Sequence, residues 1–377
     1  MKKTLIIAAI GASFAPVAQA QGSVTLYGLI DAGITYTNNQ GGHRAWQETS
    51  GSINGSRWGL RGSEDLGGDL KAIFTLENGF GINNGTLKQS GREFGRQAFV
   101  GLASDQFGAV TLGRQYDSVV NYLAPLALTG TQYGGTLFAH PFANDNLNNA
   151  IRINNSLKYS SANCGGVRFG ALYGLSSAAD SFANNRAYSI GGSYTYGRLR
   201  VAAAYLQLNN YVSAVTTTRL NVNGAIPGDN TFVAGRQRTW GGGVSYTLGA
   251  ATVGVVYTQT NLRPASDRNP EAVSRGNVGT DHFQNVEVNA RYTFKAGLNL
   301  AGSYTYTRAD LDGMHPKFNQ FNLQVAYTLS KRTDVYLHGE YQRVNRSSGI
   351  AARIDGLGDA SSTTGQVAVS AGLRHRF

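Results

Sequence analysis

The residues of this chain best able to do chemistry are not spaced for catalysis. His43, His140, His282, His315, His338 and His375 never form the H-E-x-x-H pattern that sets two imidazoles on one helix face for a metal. No G-x-S-x-G elbow presents a serine nucleophile, and no glycine-rich stretch has phosphate-loop spacing. Asp310-Leu311-Asp312-Gly313 is one acidic turn, and a plain turn accounts for it better than a calcium site. The one cysteine, Cys164, gives no disulfide framework. The expectation is therefore no enzyme, no cofactor and no metal. What remains is charge, 33 Lys+Arg against 22 Asp+Glu. The basic residues stand singly along extended segments, unlike a nucleic-acid-binding cluster, so no nucleic acid partner is expected. Charge dispersed in this way acts on ions by attraction and barrier.

The elements that position these charges read as strands. In His282–Phe294, Val286, Val288, Ala290, Tyr292 and Phe294 alternate with Asn285, Glu287, Asn289, Arg291 and Thr293. Phe318–Ser330 and Leu298–Thr307 alternate in the same way, which is the period of a strand with one oily and one polar face. Strands of about ten to twelve residues suit a tilted crossing of a hydrocarbon core better than a soluble sandwich. In lipid every backbone N–H and C=O must be paired within the protein, so the sheet must close into a barrel.

Connections of two lengths alternate along the chain. Short ones fall at 64–68, 104–108, 163–166, 196–198, 248–250, 295–297 and 329–333. Longer ones fall at about 38–51, 81–92, 117–150, 176–186, 210–236, 262–281, 310–316 and 346–362. Short turns on one rim and long loops on the other are the habit of transmembrane barrels. The count gives sixteen strands, with fourteen or eighteen open because the first five are less regular. A barrel of that size holds water rather than a side-chain core. Tyr159, Tyr194, Tyr196, Tyr246, Tyr292 and Tyr327 precede short turns on the apolar parity, where an aromatic belt belongs.

Residues 1–20 read as a secretory leader: two lysines, an apolar run too short to span a bilayer, and an Ala18-Gln19-Ala20 end. Residues 21–377 then form one barrel domain. Its oddest feature is the 117–150 connection. Val119, Val120, Tyr122, Leu123, Leu126, Leu128, Leu137, Phe138 and Phe142 in it need burial, and folding it into the lumen supplies that while narrowing the passage. Parity directs Arg57 and Arg61 away from Trp58 and Leu60. It likewise sends Arg152 and Lys158 lumenward if Ile151, Ile153, Leu157 and Tyr159 face outward. Arg114 shares parity with Val110 and Leu112, so either the strand bulges there or those aliphatics lie behind the folded loop.

"SVTLYGLIDAGI", "SRWGLRGSEDLGGDLKAIFTLENGF", "GRQAFVGL", "GAVTLGRQYD", "LKYSS" and the terminal "LRHRF" together resemble the general porins of Gram-negative outer membranes, over essentially the whole mature chain. The resemblance implies a sixteen-stranded homotrimeric barrel in the outer membrane, in contact with its lipid and lipopolysaccharide. It implies a third external loop folded into each pore and passive passage of small hydrophilic solutes and inorganic ions. It assigns a basic wall strip to Arg57, Arg96, Arg114 and Arg152, facing a loop whose acids are Asp117 and Asp145. So few acids imply a mild anion preference, although Asp31, Glu77 and Glu287 could also point inward. The terminal Phe377 resembles the signal read by the outer-membrane assembly machinery. A substrate-specific porin, an adhesion or structural barrel and an outer-membrane enzyme are the competing readings.

Overall fold

The computed structural model describes residues 22–177, 179, 182–183, 185–209, 224–226, 232, 234–263, 280–294, 297–311 and 313–377. The leader expected at 1–20, and most of the connections expected at 210–236 and 262–281, lie outside these. The described residues form seventeen strands: β1 Ser23–Gln40, β2 His43–Ser50, β3 Arg57–Gly67, β4 Leu70–Gly79, β5 Gln97–Ser104, β6 Gly108–Gln115, β7 Ile153–Ser160, β8 Val167–Gly174, β9 Arg186–Tyr196, β10 Leu199–Asn209, β11 Arg236–Leu248, β12 Ala251–Arg263, β13 His282–Thr293, β14 Leu298–Asp310, β15 Lys317–Thr328, β16 Thr333–Val344 and β17 Gly365–Arg376.

Sequential antiparallel pairing runs from β3 to β17. The first strand closes the ring. Leu29–Thr37 of β1 pair with β17, while the other edge of β1 pairs with β3 through Ser23–Leu29 and with β2 through Ala32–Gln40. β2 and β3 are thus two halves of one wall position, and the seventeen strands make a sixteen-position closed barrel.

The connection expected at about 38–51 is corrected by this pairing. β1 continues to Gln40, a two-residue Gly41–Gly42 turn follows, and residues 43–50 are wall. The break comes afterwards, at 51–56. There the chain turns inward: the Asp31 carboxylate accepts the backbone N–H groups of Ile53 (3.2 Å) and Asn54 (2.8 Å), and Ile53 packs with Ala326 and Tyr336. The extra stretch could not be read from alternation because its apolar residue faces the lumen.

The wall inverts the pattern of a soluble protein. On β15, Phe321 (52%) and Leu323 (56%) are exposed on the outer face, whereas Gln320 (0%) and Gln324 (1%) are buried inside. An outer surface that is apolar all round is stable only against lipid. Tyr159, Tyr194, Tyr196, Tyr246, Tyr292 and Tyr327 are all exposed outward near the short-turn rim.

Candidate functional site

The 117–150 segment lies inside the barrel. It leaves β6 at an Asp117 carboxylate whose Oδ1 accepts the Val119 N–H (2.7 Å) and whose Oδ2 accepts the Asn146 amide (2.6 Å), tying the two ends of the loop together. A π-helical turn at Val119–Leu123 and short 3-10 turns at Ala124–Leu126, Thr136–Phe138 and Pro141–Ala143 follow. Val119, Leu123, Leu126 and Leu147 pack against Leu206, Leu208 and Val256 of the wall, and Phe138 and Leu137 pack against Ala301 and Ala368. Each such side chain withdrawn from water contributes roughly 1.5–3 kcal/mol, which holds the loop against β9–β17.

Polar anchors fix its register on that wall. Glu287 Oε1 accepts the Leu128 N–H (2.7 Å), the Gln320 amide donates to the Ala139 carbonyl (2.7 Å), and Arg374 Nη1 donates to the Gln132 carbonyl (2.9 Å). His140 is the central pin. Its Nδ1 lies 2.6 Å from Asp145 Oδ2 and its Nε2 lies 3.0 Å from Glu287 Oε2, all fully buried. An imidazole facing a carboxylate at both nitrogens donates from both and is an imidazolium.

The opposite wall stays open. A cavity of about 500 Å³ on the short-turn side is lined by Tyr27, Arg57, Glu77, Arg96, Tyr116, Arg376 and loop residues Thr129–Gln132. A second cavity, of about 360 Å³ on the long-loop side, is lined by Arg57, Lys88, Arg96, Arg152, Asn148, Asn149 and Asp355. Arg57 and Arg96 line both and stand where the two meet. Between them Glu77 lies 2.6 Å from Arg96 Nε and 3.8 Å from Arg57 Nε, and it accepts the Tyr27 hydroxyl at 3.0 Å. The cluster carries one net positive charge. Its guanidinium with the greater exposure is Arg57, at 27% against 9% for Arg96.

Residues 5–347 match the family model described as Gram-negative porin. The chain belongs to the Gram-negative porin family. It is 34% identical to an outer membrane porin protein of Bordetella pertussis, over all of both chains, and 30% identical to outer membrane porin protein 32 of Delftia acidovorans, again over all of both. The fold is shared with the solved anion-selective porin from Comamonas acidovorans, at a TM-score of 0.74 and 23% identity, covering 94% of this chain and all of that one. The porin is an outer-membrane diffusion channel.

The porin's remaining basic residues are each placed differently. Arg152 donates to the Ala150 carbonyl (3.2 Å) and Asn149 Oδ1 (3.0 Å) and lies over the Tyr116 ring at 5.5 Å. Arg61 sits nearer the short-turn rim over Tyr27, at 5.3 Å. Lys158 points inward, but its ammonium donates to the Tyr116 carbonyl (3.1 Å) at the root of the loop, and it lines neither cavity.

Arg114 donates to the Gly95 carbonyl (2.8 Å) and to Asn154. It turns inward because the pairing of β6 with β7 shifts register between Gly113 and Gln115. Gly113 makes that bulge at φ 141°, where a Cβ would lie 2.1 Å from the Ala98 carbonyl oxygen. Val110 and Leu112 remain exposed on the lipid face, so of the two explanations open for Arg114 the bulge is the one found. Gly113→Ala is expected to lower the yield of folded porin, read as the fraction migrating as folded barrel in unheated gels.

The parity argument at 151–153 fails. Ile151 and Ile153 are buried with the loop, at 2% and 0%, while Leu157 is 49% exposed outward. Asn155, at φ 48°, breaks the alternation between them.

Neither expected loop acid lies on the open side. Asp117 is enclosed at the loop root, where burial pushes its carboxyl up to about 6 against the opposing hydrogen bonds of Val119, Val120 and Asn146. Asp145 accepts from His140 and from the Thr258 hydroxyl (2.6 Å) on the far wall. Sequence reasoning missed His140 as a pin, Lys88 in the outer cavity and Asp355 beside it. An aspartate five residues after a lone histidine in an apolar loop was the one available signal.

Burial alone would lower His140, but the Asp145 and Glu287 carboxylates overcome it and raise the imidazole to about 10. A histidine raised from 6.5 gives stabilisation that is complete below 6.5 and is lost as pH climbs through about 10. Raising the pH from 7 to 10 should therefore loosen the loop. The check is current noise in single channels, which should grow over that window and stay flat between pH 6 and 7.

Proposed function

We propose that this porin passes small hydrophilic solutes and inorganic ions without catalysis, and that it prefers anions mildly because of a basic strip. The strip comprises Arg57, Arg96 and Arg152 at the constriction, with Arg61 and Arg114 beside it and Lys158 at the loop root. One observation carries the reading: two guanidiniums line both cavities where they meet, while Asp117 and Asp145 are enclosed elsewhere. Positive potential across a narrow, low-dielectric passage raises the local anion concentration. The solved anion-selective porin of the same fold supports the same direction. The test is the reversal potential of reconstituted channels across a salt gradient, which should carry the anion sign.

Asp355 opposes the strip from the outer cavity. Burial pushes its carboxyl up to about 6, with Arg353 lowering it. Lowering the pH from 7 to 5 protonates it and removes that charge, so anion preference should rise, and Asp355→Asn should reduce that rise to what the enclosed Asp117 contributes over the same range.

We further infer a homotrimer inserted among outer-membrane lipid and lipopolysaccharide, with residues 1–20 removed on export. Phe377 supports delivery by the assembly machinery: it follows β17 directly and exchanges backbone hydrogen bonds with Gly28 at 3.0 and 3.1 Å. Mass measured in detergent tests the trimer.

A further inference from the structure

At the short-turn mouth, across the lumen from Arg57, guanidiniums gather with little opposing charge. Arg168 is the second residue of β8, Arg200 the second of β10, and Arg291 lies two residues before the end of β13. Val167 and Phe169 are exposed to the outside, so Arg168 between them faces the lumen, opposite Ser193 of β9. Arg200 pairs with Thr195 of the same strand. Arg291 reaches under the constriction loop, over the Tyr133 ring at 5.9 Å, and adds to the field. Two acids of this rim are engaged: Asp105, which itself lines the cavity described next, holds Lys71 Nζ at 2.7 Å, a pair with no net charge, and Asp69 accepts the Ser104 hydroxyl at 2.5 Å.

A cavity of about 440 Å³ opens here, lined by Arg168, Arg200, Ser160, Ser161, Asn163 and Ser193 among others. Two of its polar groups already accept a bond and so have a donor to offer. Asn163 Oδ1 accepts the Gly166 N–H (3.0 Å), leaving its NH₂ to donate, and Ser161 Oγ accepts the Phe169 N–H (2.9 Å), leaving its O–H to donate. Arg200 Nε is buried without a hydrogen-bond partner among the described residues. A guanidinium N–H withdrawn from water and unmet by protein demands an acceptor. A cavity with these donors and two guanidiniums, whose one lining carboxylate, Asp105, is neutralised by Lys71, matches an anion with several oxygens.

We propose that Arg168 and Arg200, with the donors of Ser161 and Asn163, form a binding site for inorganic phosphate at the inner mouth of the channel. A tetrahedral oxyanion accepts two N–H groups from one guanidinium fork and further bonds from the hydroxyl and amide, which chloride cannot do. The site deepens the anion-preference reading and rests on it only for the direction of flow, because binding itself needs no conduction.

The experiment is calorimetric titration of the full chain, folded in detergent, with inorganic phosphate in chloride buffer. Wild-type protein should bind saturably at one site per chain. Arg168→Gln/Arg200→Gln should weaken binding by about tenfold or more, the loss of charge-assisted bonds from both guanidiniums. Should that variant fail to fold, Arg168→Lys/Arg200→Lys keeps the charge, loses the fork, and should still weaken phosphate several-fold. Absence of saturable binding by the wild type, or equal affinity in a folded variant of either kind, overturns the site. A wild-type reversal potential of cation sign alongside saturable phosphate binding overturns the reading of the constriction and leaves this site standing.

Discussion

Replacing Arg57 and Arg96 together with glutamine is expected to turn the channel from anion to cation preference. The physical reason is the carboxylate between them. With both guanidiniums present, Glu77 is held at 2.6 Å and 3.8 Å and the cluster carries one net positive charge. With both removed, Glu77 remains in the same opening as one net negative charge. A swing of two unit charges beside a passage of intermediate dielectric is worth about 1–2 kcal/mol for a monovalent ion, after screening. That corresponds to roughly 5- to 30-fold in the anion-to-cation permeability ratio, enough to reverse the sign of a mild preference. The measurement is reversal potential in planar bilayers under a salt gradient. Adding Glu77→Gln to the pair should return the ratio toward one, which separates an electrostatic change from a gross change of shape. An unmoved reversal potential in the double variant would remove the strip from the account of selectivity.

His140→Ala should have the largest effect on the loop. The imidazolium lies between two carboxylates that are themselves buried, Asp145 at 2.6 Å and Glu287 at 3.0 Å. Removing the cation leaves two buried anions on opposing elements, a defect that costs about 3–5 kcal/mol in comparable buried pairs. The barrel has its own closed ladder and does not depend on this contact, so the cost falls on loop docking. Single channels should show larger and noisier conductance, and the loop should become open to protease while heat-stable barrel migration is kept. Adding Glu287→Gln and Asp145→Asn to His140→Ala removes the stranded charge and should quieten the channel in part. Conductance traces indistinguishable from wild type would show that apolar packing alone holds the loop.

Legibility in the sequence followed the solvent on each side of the wall. In β13–β15 the outer side chains meet lipid and the inner ones are mostly polar, so alternation could run long enough for these strands to be placed from the residues alone. In β1–β3 it could not, because the 51–56 stretch turns an isoleucine into the lumen, where Ile53 packs on Ala326 and Tyr336. Parity also failed where single residues take left-handed backbone. Asn155 (φ 48°) buries Ile153 inside, and Gly113 (φ 141°) brings Arg114 inward. The loop acids show the same limit. Their number was readable, but Asp117 and Asp145 spend their lone pairs on Asn146, His140 and Thr258, partners distant in sequence or set by the loop's own fold.

By itself the sequence determined a closed transmembrane barrel with an inward loop between β6 and β7 and a count of sixteen strands that left fourteen or eighteen open, because periodicity, turn length and unmet apolar surface are local properties of a chain; the pairing of β1 with both β2 and β3 fixed the sixteen wall positions. Only the tertiary structure decided which charges meet. That Glu77 divides Arg57 from Arg96, that His140 pins the loop to Glu287, and that Arg200 reaches a cavity beside Arg168 all depend on the stagger of strands far apart in the chain. Electrostatic energy varies over a few ångströms, and that stagger is fixed only when the ring closes.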